Sequence, residues 1–474
     1  MKLAWPTIEA LAADVISGKV TAISQVEKSL KLIQEHAEYQ AIIATTETRA
    51  RARAKEIDQQ IAEGVAVGPL AGVPFIAKDN FLTFGAGTTA ASNILKGFEA
   101  PYQSTVIERL EAAGAICVAK ANLDAFAHGS STENSDFMTT KNPHDKTRVP
   151  GGSSGGSGAA VALGLAPFAL GTDTGGSIRL PAAFTGSVGF KPTYGLVSRS
   201  GVVAMASSTD VIGPLAMRVD DVAYVMDVIA GLDERDGTTI DADKAGYSGA
   251  SFDLKGLKIG VVKEYMTDAV DPEVKKAVTD TIEAAKAKGA IITEVSLPSL
   301  PLALAVYYIV CPAEVSSNLS RYDGQHYGHH APASKNLEES FSTARSEGFG
   351  TEAKRRIMIG TYVLSSGYYD AYYKRAQEVR TKLIDEFEAA FNEVDMLIGP
   401  TAPVTAFKIG ENIDDPLKMY LIDIMTVSAS LVGIPAISIP ASHDGPLPIG
   451  IQLMAAQKQD RKLLAVAKSL EVAA

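Results

Sequence analysis

The residues that could do chemistry are concentrated in one segment rich in glycine and serine. Between Gly151 and Gly195 there are 12 glycines in 45 residues, whereas the 41 glycines of the 474-residue chain predict about four in a stretch of that length. The segment contains two serine blocks, GGSSGGS at 151–157 and TGGSIR at 174–179. Because glycine permits backbone approaches that other residues forbid, we expect a loop that binds a ligand or presents a nucleophile.

One interpretation of the first block is a phosphate-binding loop at the start of a helix. Gly151 and Gly156 have the spacing of a P-loop, but Ser157 stands where the phosphate-binding lysine belongs. No third glycine completes GxGxxG from Gly156. A phosphate site is therefore poorly supported.

A second interpretation is a nucleophile elbow, since residues 151–155 satisfy GxSxG. An elbow requires a strand directly before its serine, whereas residues 142–150, with two prolines, predict a loop. The elbow would take its base from the downstream histidines His326, His329, His330 and His443.

A third interpretation is a glycine-rich turn without chemistry, beside a solvated Lys78.

Both serine blocks, together with Lys78 in GVPFIAKDN at 72–80, resemble the amidase signature family, in which Ser-Ser-Lys replaces Ser-His-Asp. The resemblance implies that Ser177 is the nucleophile, Ser153 the relay and Lys78 the base. The separation of 24 residues between the two serines matches that of the family. The resemblance also implies a cis peptide bond between Gly152 and Ser153.

A lysine can act as a base only when its amine is neutral at the working pH. The pKa of Lys78 must then fall from about 10.4 to near 7 or 8, a change of about 3 to 4 kcal/mol. The apolar neighbours Phe75 and Ile76 make burial of this amine the expected cause.

The family resemblance further implies an oxyanion hole in the second serine block. Asp173 and Arg179 flank this block, and we expect them to brace it; the alternative is an ordinary surface ion pair. The backbone N–H groups expected to face the oxyanion are those of Thr174, Gly175, Gly176 and Ser177.

Within the family, the resemblance narrows to the branch that forms the A subunit of glutamyl-tRNA(Gln)/aspartyl-tRNA(Asn) amidotransferases. Three stretches carry it: GSSTENS at 129–135, SNLSRYDG at 317–324 and LSSGYYDAYY at 364–373. Two departures from the family pattern, Leu180 and Gln103, put fine specificity in doubt and leave the Ser-Ser-Lys residues untouched.

That branch implies a site for glutamine, in which Arg356 binds the α-carboxylate and Asp423 the α-ammonium group, with Ser130 as a further binding residue. A free amino acid needs one cationic and one anionic partner, so the charges fit. Arg356 lies in the cluster Lys354-Arg355-Arg356, which leaves two alternatives: Arg355 as the ligand, or a solvated basic cluster.

The implied function is release of ammonia from glutamine, for a partner subunit that amidates Glu-tRNA(Gln), and also Asp-tRNA(Asn) in some enzymes. The resemblance places ATP, Mg²⁺ and tRNA on a B subunit, with a small C subunit that completes a heterotrimer; this chain itself needs no cofactor. A free-standing amidase and a catalytically silent scaffold are the alternatives. The histidines at 326, 329 and 330 share helical spacing, but Gly324 and Gly328 argue against a helix and hence against a metal site.

The amino-acid composition agrees with the expectation that tRNA binds to another subunit. The chain has 55 acidic residues and 44 Lys plus Arg, which gives a net charge of −11 and a pI near 5.3. A negative net charge disfavours binding to the phosphate backbone of nucleic acids. The start of the chain, 1–6, lacks the pattern of a signal peptide, so a cytoplasmic location is expected. Cys117 and Cys311 are expected to be small buried core residues.

The elements that must position these residues alternate between helix and strand. Apolar residues fall at helical spacing from Ile8 to about Asp58, and further helices are predicted at 104–114, 272–288 and 372–394. Strands are predicted at 116–119, 258–262, 290–295, 396–398 and, as the final one, 434–439, with short β-rich runs at 64–78.

This alternation predicts an α/β fold with a large central mixed, mostly parallel β-sheet and helices on both faces. We expect a single amidase domain over 1–474. Its parts are a helical segment at 1–60, a core with the Ser-Ser-Lys motifs at 61–200, and the rest of the core with the glutamine-binding segments at 201–474.

Overall fold

A single sheet of eleven strands runs through the described residues of the computed structural model, which are 3–331, 334–442 and 445–471. The strands are β1 (Ile42–Thr45), β2 (Pro74–Lys78), β3 (Ile116–Ala121), β4 (Phe168–Asp173), β5 (Val188–Lys191), β6 (Val211–Ala216), β7 (Lys258–Val262), β8 (Ile291–Val295), β9 (Met396–Pro400), β10 (Ala436–Pro440) and β11 (Gly450–Met454).

Helices surround this sheet. They are α1 (Ile8–Ile16), α2 (Ala22–Glu35), α3 (Glu47–Ala62), α4 (Thr105–Ala112), α5 (Gly155–Ala162), α6 (Arg179–Thr185), α7 (Val219–Ile229), α8 (Pro272–Ala287), α9 (Ala303–Asn318), α10 (Leu337–Gly348), α11 (Thr351–Leu364), α12 (Arg375–Glu393), α13 (Pro416–Leu421), α14 (Val427–Val432) and α15 (Asp460–Leu470). A short π-helix, Asp370–Lys374, leads into α12.

The strand order is β1-β3-β2-β4-β6-β5-β10-β11-β9-β7-β8. The α/β class and the mixed sheet are as predicted, but the expectation of a mostly parallel sheet is wrong. Among the ten pairs of the described strands, four are parallel: β2 with β3, β2 with β4, β7 with β8 and β7 with β9. The other six are antiparallel.

The reason lies in the connections. Parallel neighbours need a long crossover, and α4 between β2 and β3 and α8 between β7 and β8 supply one toward each end of the strand order. In the middle, β10 and β11 pair as an antiparallel hairpin, whose short connection requires no helix. The helix–strand alternation therefore predicts the two parallel parts of the sheet but not its antiparallel centre.

Several predicted elements are confirmed. Helix α4 begins at a Ser104 cap whose hydroxyl accepts from the N–H of Ile107, and α8, β7, β8 and β9 lie where their patterns place them. The helical opening is present as α1, α2 and α3, and one strand interrupts it, because β1 separates α2 from α3 with a run rich in β-branched residues. The strand at 434–439 is present as β10 but is not the last, since β11 follows it.

Both faces of the sheet are covered, as predicted. Along β2, Phe75 and Ala77 belong to one buried apolar cluster while Ile76 belongs to another, because successive side chains of a strand point to opposite faces. Cys117 and Cys311 are buried free thiols, as expected. One helical stretch among the described residues, Leu300–Arg321, is long and apolar enough to cross a membrane, but half of its most apolar part is buried within the fold.

Candidate active site

Lys78 lies at the carboxyl end of β2, where two parallel neighbours bring other polar residues beside it. Strands β2 and β4 are parallel with Ala77 opposite Leu170, so Lys78 and Thr172 end on the same edge of the sheet. Helix α5 begins immediately after Ser153 and Ser154 and packs over this edge. Carboxyl ends of parallel strands are where α/β folds commonly form their sites.

The amine of Lys78 is enclosed by three hydroxyl groups. Its Nζ lies 2.8 Å from Ser153 Oγ, 2.9 Å from Ser154 Oγ and 2.8 Å from Thr172 Oγ1. The side chain is fully buried, which excludes the solvated lysine of the glycine-rich turn interpretation. Burial lowers the pKa of Lys78 to about 7, against the opposing pull of the carboxylates of Asp124, Asp173 and Asp210.

The first serine block requires glycine because it is pressed against its neighbours. A Cβ on Gly152 would overlap Asp124 Oδ2 and would lie 2.5 Å from the backbone N of Ser131. The peptide bond between Gly152 and Ser153 is cis, as the resemblance implies. The motif is therefore a site of tight packing, and its glycines provide the space.

Asp124 is a buried carboxyl group that sequence reasoning missed. Its oxygens accept from the backbone N–H groups of Thr132 at 2.9 Å and Asn134 at 3.0 Å. Burial raises the pKa of Asp124 to about 7. The group thus orders the loop that carries Ser130 and approaches the Lys78 region from the side opposite β4. The sequence shows only an acidic residue after a buried strand, which is a common pattern.

Ser177 lies in the turn between β4 and α6, and it is 8% exposed. Its carbonyl accepts from the backbone N–H of Ser154 at 3.1 Å, which joins the two serine blocks directly. Among the described residues, the backbone N–H groups of Gly175, Gly176 and Ser177 have no hydrogen-bond partner. Unpartnered donors beside a serine hydroxyl are what an oxyanion hole requires.

The turn around Ser177 is held at both ends. Arg179 donates from Nε to Asp173 Oδ2 at 2.9 Å and from Nη2 to Asp173 Oδ1 at 2.8 Å. Both side chains are fully buried, so this is not the surface ion pair considered as the alternative. Burial opposes ionisation of Asp173, but the Arg179 guanidinium outweighs it and holds the pKa of that carboxyl below its ordinary value.

Thr174, at the start of the turn, is fixed by a further carboxyl group. Its hydroxyl donates to Asp210 Oδ1 at 2.7 Å. Asp210 also accepts from the backbone N–H of Met205 at 2.8 Å, and its pKa is raised by burial. The predicted oxyanion loop is therefore tied to a neighbouring loop as well as to α6.

Asp423 and Arg356 come from distant parts of the chain into one buried cluster. Asp423 accepts from the Ser130 hydroxyl at 2.8 and 2.9 Å and from the Tyr308 hydroxyl at 2.9 Å. Burial raises the pKa of Asp423 to about 6, with the two hydroxyls and Arg356 opposing the rise. All three predicted substrate-binding residues thus meet around one helix, α9, which carries Tyr308.

The guanidinium of Arg356 lies among aromatic rings and beside a carboxylate. Its Cζ is 5.3 Å from the Tyr308 ring centre and 5.7 Å from that of Tyr420, and its Nε donates to Glu352 Oε1 at 2.9 Å. Arg356 is 2% exposed, which is not the solvated cluster considered as an alternative. Arg355 also contacts Glu352, but its side chain is 39% exposed.

Thr426 connects this charged cluster with the Ser177 turn. Its hydroxyl lies 2.6 Å from the carbonyl of Gly175 and 3.1 Å from that of Asp423. A Cβ on Gly176 would overlap Thr426 Oγ1, so this position requires glycine. Sequence reasoning missed Thr426 and Tyr308, because nothing near either residue in the chain marks it as part of a site.

The elbow interpretation finds no support in the geometry. No strand precedes Ser153 within the described residues of the first block, as the loop prediction expected. Three of the candidate bases lie in the segment after Tyr322 and contact other groups: His326 bonds Asp323, His329 bonds Glu347 and His330 bonds Gly324. His443 lies outside the described residues.

The same segment is non-helical where the structure describes it, as its glycines predict. In the described part of the chain no group of three or more His, Cys, Asp or Glu side chains is arranged to hold a metal ion. The two departures from the family pattern are also buried. Leu180 packs in an apolar cluster with Val149 and Phe184, and Gln103 bonds Glu111 and the N–H of Phe84.

Comparison with known proteins decides the family. The family model described as Amidase matches residues 24–464. The chain belongs to the amidase family. This amidase is 49% identical over 473 residues to the A subunit of glutamyl-tRNA(Gln) amidotransferase from Carboxydothermus hydrogenoformans, a match that covers 99% of this chain and 98% of the relative.

Solved structures agree with the assignment. The A subunit of glutamyl-tRNA(Gln) amidotransferase from Thermotoga maritima has a TM-score of 0.81 to this amidase at 39% identity, covering 98% of this chain and 94% of that one. The peptide amidase of Stenotrophomonas maltophilia has a TM-score of 0.82 at 27% identity, covering 98% and 96%. The resemblance to the amidase signature family is thereby confirmed.

Proposed function

We propose that this amidase is the glutamine-hydrolysing A subunit of a tRNA-dependent amidotransferase. The observation that carries the proposal is the buried pair of opposite charges, Arg356 and Asp423, joined to the Ser177 turn through Thr426. A free amino acid substrate needs both charges beside the reacting centre, whereas a simple amide needs neither. The relatives in Carboxydothermus and Thermotoga, both named as A subunits of glutamyl-tRNA(Gln) amidotransferase, support the proposed assignment.

In the proposed mechanism, neutral Lys78 takes a proton from Ser153, which takes one from Ser177 as the Ser177 oxygen bonds to the amide carbon of glutamine. The backbone N–H groups of the Ser177 turn, from Thr174 to Ser177, stabilise the developing oxyanion. Ser153 then gives its proton to the leaving nitrogen and regains one from Lys78, so the C–N bond breaks and ammonia departs. Water releases glutamate from the acyl-enzyme. Asp173 and Arg179 hold the turn and do not touch the substrate.

For binding, we propose that Arg356 pairs with the α-carboxylate of glutamine and Asp423 with its α-ammonium group. Ser130 and Tyr308 fix both oxygens of Asp423, so the carboxylate is already oriented before the substrate arrives. Glu352 and the two aromatic rings similarly fix the guanidinium. Such preorganisation lowers the cost of ordering on binding.

The remaining steps of amidation belong, in this proposal, to other chains. A B subunit would bind ATP, Mg²⁺ and tRNA, a small C subunit would complete a cytoplasmic heterotrimer, and ammonia would pass internally from this chain to the B subunit. The net charge of −11 supports this division, because a chain of that sign binds tRNA weakly at physiological salt. Amidation of Glu-tRNA(Gln) is the proposed outcome, with Asp-tRNA(Asn) as a further substrate of the complex.

The test compares glutamine hydrolysis by the chain alone and after assembly with its B and C subunits. We expect hydrolysis to rise on assembly, and an acyl adduct trapped during turnover to map to Ser177 by peptide mass spectrometry. Tight, salt-resistant tRNA binding by this chain alone would contradict the proposal. An adduct on Ser153 would contradict the assignment of the nucleophile.

A free-standing amidase acting on a small amide is the second candidate. The observation in its favour is the close structural match to a peptide amidase over nearly the whole chain. The two candidates differ in one measurable property. A free-standing amidase would hydrolyse simple amides at full rate without partners, and its rate would not depend on Arg356.

A further inference from the structure

The first serine block is held at both ends by one side chain from another loop. Thr132 is fully buried, and its hydroxyl donates to the carbonyl of Gly151 at 2.8 Å and accepts from the backbone N–H of Gly155 at 3.1 Å. A carbonyl only accepts and an N–H only donates, so the direction of both bonds is fixed. We propose that Thr132 is a positioning residue for the relay serine, because this bridge spans Ser153 and keeps its hydroxyl on Lys78. The inference rests on the proposed role of Ser153 as the relay.

The backbone of Thr132 indicates that its side chain is needed at this position. Its φ is +65°, in the left-handed region that glycine adopts freely and a β-branched residue adopts rarely. Among the described residues other than glycine, seven have a positive φ, and Thr132 is the β-branched one. Glycine would satisfy this backbone at lower cost but has no hydroxyl to bridge the serine block. A costly conformation at a buried position is therefore explained by the two bonds of the side chain.

The carboxylate of Asp124 holds Thr132 in this conformation. Asp124 Oδ2 accepts from the backbone N–H of Thr132 at 2.9 Å, and Oδ1 accepts from that of Asn134 at 3.0 Å. The backbone N–H of Asp124 itself donates to the carbonyl of Ser153 at 3.3 Å. The loop that begins at Asp124 therefore contacts the serine block at its centre and, through Thr132, at both ends.

The start of α5 also needs a partner from outside the helix. The N–H groups of a first helical turn have no acceptor within their own helix. Ser154, at the N-cap position of α5, makes no capping bond, and its hydroxyl is bonded instead to Lys78 Nζ at 2.9 Å and to the carbonyl of Thr172 at 3.2 Å. Thr132 supplies an acceptor for the N–H of Gly155, the first residue of α5.

The position of Ser153 Oγ, 2.8 Å from Lys78 Nζ, depends on this backbone. Without the Thr132 hydroxyl, the carbonyl of Gly151 and the N–H of Gly155 are left buried and unpaired, so the block must shift to find other partners. A displacement of about 1 Å is enough to slow a reaction roughly 100-fold. Loss of the bridge should therefore act on the rate through Ser153.

Thr140 provides a matched control. It is also fully buried, and its hydroxyl likewise makes two bonds: it donates to the carbonyl of Gln40 at 2.8 Å and accepts from Asn122 Nδ2 at 2.9 Å. Neither partner belongs to the first serine block. Thr140→Val and Thr132→Val therefore remove the same group with the same number of bonds, at one position outside the relay and at one beside it.

The test measures covalent labelling of Ser177 in the full chain by a fluorophosphonate probe, with rates followed by intact mass spectrometry at about pH 8. For Thr132→Val we expect the rate to fall roughly 10- to 100-fold, less than the full contribution of a proton-transfer group of ~10²- to 10⁴-fold, because the relay is displaced and not removed. Thr140→Val should keep the wild-type rate. Thermal melting of each variant reports whether it is folded, and the two valine variants should lose similar stability.

Two other substitutions of Thr132 separate its hydroxyl from its backbone. Thr132→Ser keeps the hydroxyl, so its rate should stay within about threefold of wild type. Thr132→Gly fits the left-handed backbone without cost but lacks the hydroxyl, so it should fold and be about as slow as Thr132→Val. It also provides the measurement if Thr132→Val does not fold.

A double variant tests whether Thr132 acts through the relay serine. Ser153→Ala removes the hydroxyl that Thr132 would position, so adding Thr132→Gly to it should cause no further loss of rate. A purely structural role would give losses that multiply.

The outcomes separate this inference from the proposed function. With Ser177 labelled in the wild-type chain and slowed by Ser153→Ala, a folded Thr132→Gly variant at the wild-type rate would overturn the inference alone. So would a Thr132→Ser variant as slow as Thr132→Gly, equal losses in the two valine variants, or multiplying losses in the double variant. Failure of the wild-type chain to label at Ser177, or a Ser153→Ala variant at full rate, would refute the proposed catalytic roles and the inference with them.

Discussion

Two fully buried lysines lie side by side on neighbouring strands but have opposite surroundings. Lys120 in β3 is opposite Ala77 of β2, the residue before Lys78, so the two lysines are neighbours in the sheet but their side chains point to opposite faces. Lys120 Nζ lies 3.0 Å from Asp79 Oδ1 and also contacts the carbonyl of Phe81 at 2.7 Å. Lys78 has three hydroxyls and, within the described part of the chain, no carboxylate in contact. One lysine has a counter-ion and the other has only neutral partners.

The presence or absence of a carboxylate in contact decides whether a buried lysine stays charged. A buried ammonium group is tolerated when a carboxylate in contact compensates its lost hydration. Without one, burial lowers the pKa until the neutral amine dominates near pH 7, and that amine can accept a proton. The same residue type on adjacent strands is therefore suited to bracing the fold in one case and to catalysis in the other.

The largest effect is expected from removing the lysine that has neutral partners. Lys78→Met should reduce hydrolysis by roughly 10⁴-fold, the scale for loss of a member of a catalytic triad. The unfolding free energy should change by less than about 2 kcal/mol, because no charge is left unpaired. Steady-state kinetics and denaturant unfolding of the same preparation measure both.

A matched control is His326→Ala, which should keep most of the activity because His326 is exposed and its ring bonds Asp323. Loss of activity in this variant equal to that of Lys78→Met would restore a histidine as the base. A Lys78→Met chain that is inactive and also unfolded would show that the two lysines do not differ in kind.

The second prediction concerns the lysine that has a counter-ion. Lys120→Met leaves the carboxylate of Asp79 buried and uncompensated, so the unfolding free energy should fall by about 3 to 5 kcal/mol. Urea denaturation is the measurement. Adding Asp79→Asn to Lys120→Met removes the stranded charge and should recover part of the loss. A double variant no more stable than the single one would argue that Lys120 acts through packing.

The sequence predicts Lys78 and both serines because they lie in short motifs with fixed internal spacing, and the structure brings Lys78 and Ser153 into contact. Their assigned roles stay predictions until activity is measured. The need for a lowered lysine pKa also follows from chemistry alone, once Lys78 is taken as a base. The arrangement around the amine does not, because Thr172, which contacts it, and Asp124, which favours its charged form, approach only when β4 and the loop after β3 are in place.

The cluster of Arg356 and Asp423, which we propose binds glutamine, shows the limit of sequence reasoning more clearly. Tyr308 and Asp423 are in contact although they are 115 positions apart in the sequence. No local sequence pattern predicts a contact between residues so far apart in the chain. The antiparallel centre of the sheet was missed for a similar reason, since helix–strand alternation reports connections and not the order of strands. Local patterns therefore predict most of the helices and strands, whereas the order of the strands and the contact of Tyr308 with Asp423 depend on pairing between distant parts of the chain.

The third prediction concerns Arg356, a buried cation that we propose binds the substrate. Arg356→Ala should raise the KM for glutamine roughly 100-fold, the scale for loss of a charge-assisted hydrogen bond of about 3 kcal/mol. Turnover of a small amide without a carboxylate should change little. The matched control is Arg355→Ala, whose exposed side chain contacts the same Glu352.

These two arginine variants decide between neighbours in the sequence. A large rise in KM for Arg355→Ala with none for Arg356→Ala would move the carboxylate site by one residue. Equal loss on glutamine and on the small amide in Arg356→Ala would indicate that the cluster of Arg356, Glu352 and Tyr420 supports the fold instead of the substrate.

The last prediction is the pH dependence of hydrolysis, which follows from the lowered pKa of Lys78. Burial lowers the pKa of Lys78 to about 7, so the neutral base is about one-tenth populated at pH 6 and about nine-tenths at pH 8. Hydrolysis of a small amide should therefore rise about tenfold between these values and then level off. Glutamine should show an additional rise of KM below about pH 6, where Asp423 becomes protonated and loses its charge for the ammonium group.

The sign of this limb can be tested by changing a charge that faces Lys78. Asp210 is one of three carboxylates that favour the charged amine, with Asp124 and Asp173. Asp210→Asn removes that negative charge, so the pKa of Lys78 should fall further and the acid limb should move to lower pH. A limb that moves to higher pH, or that is unchanged in Lys78→Met with residual activity, would show that another group titrates. The lowered pKa of Lys78 would then not determine the pH dependence of hydrolysis.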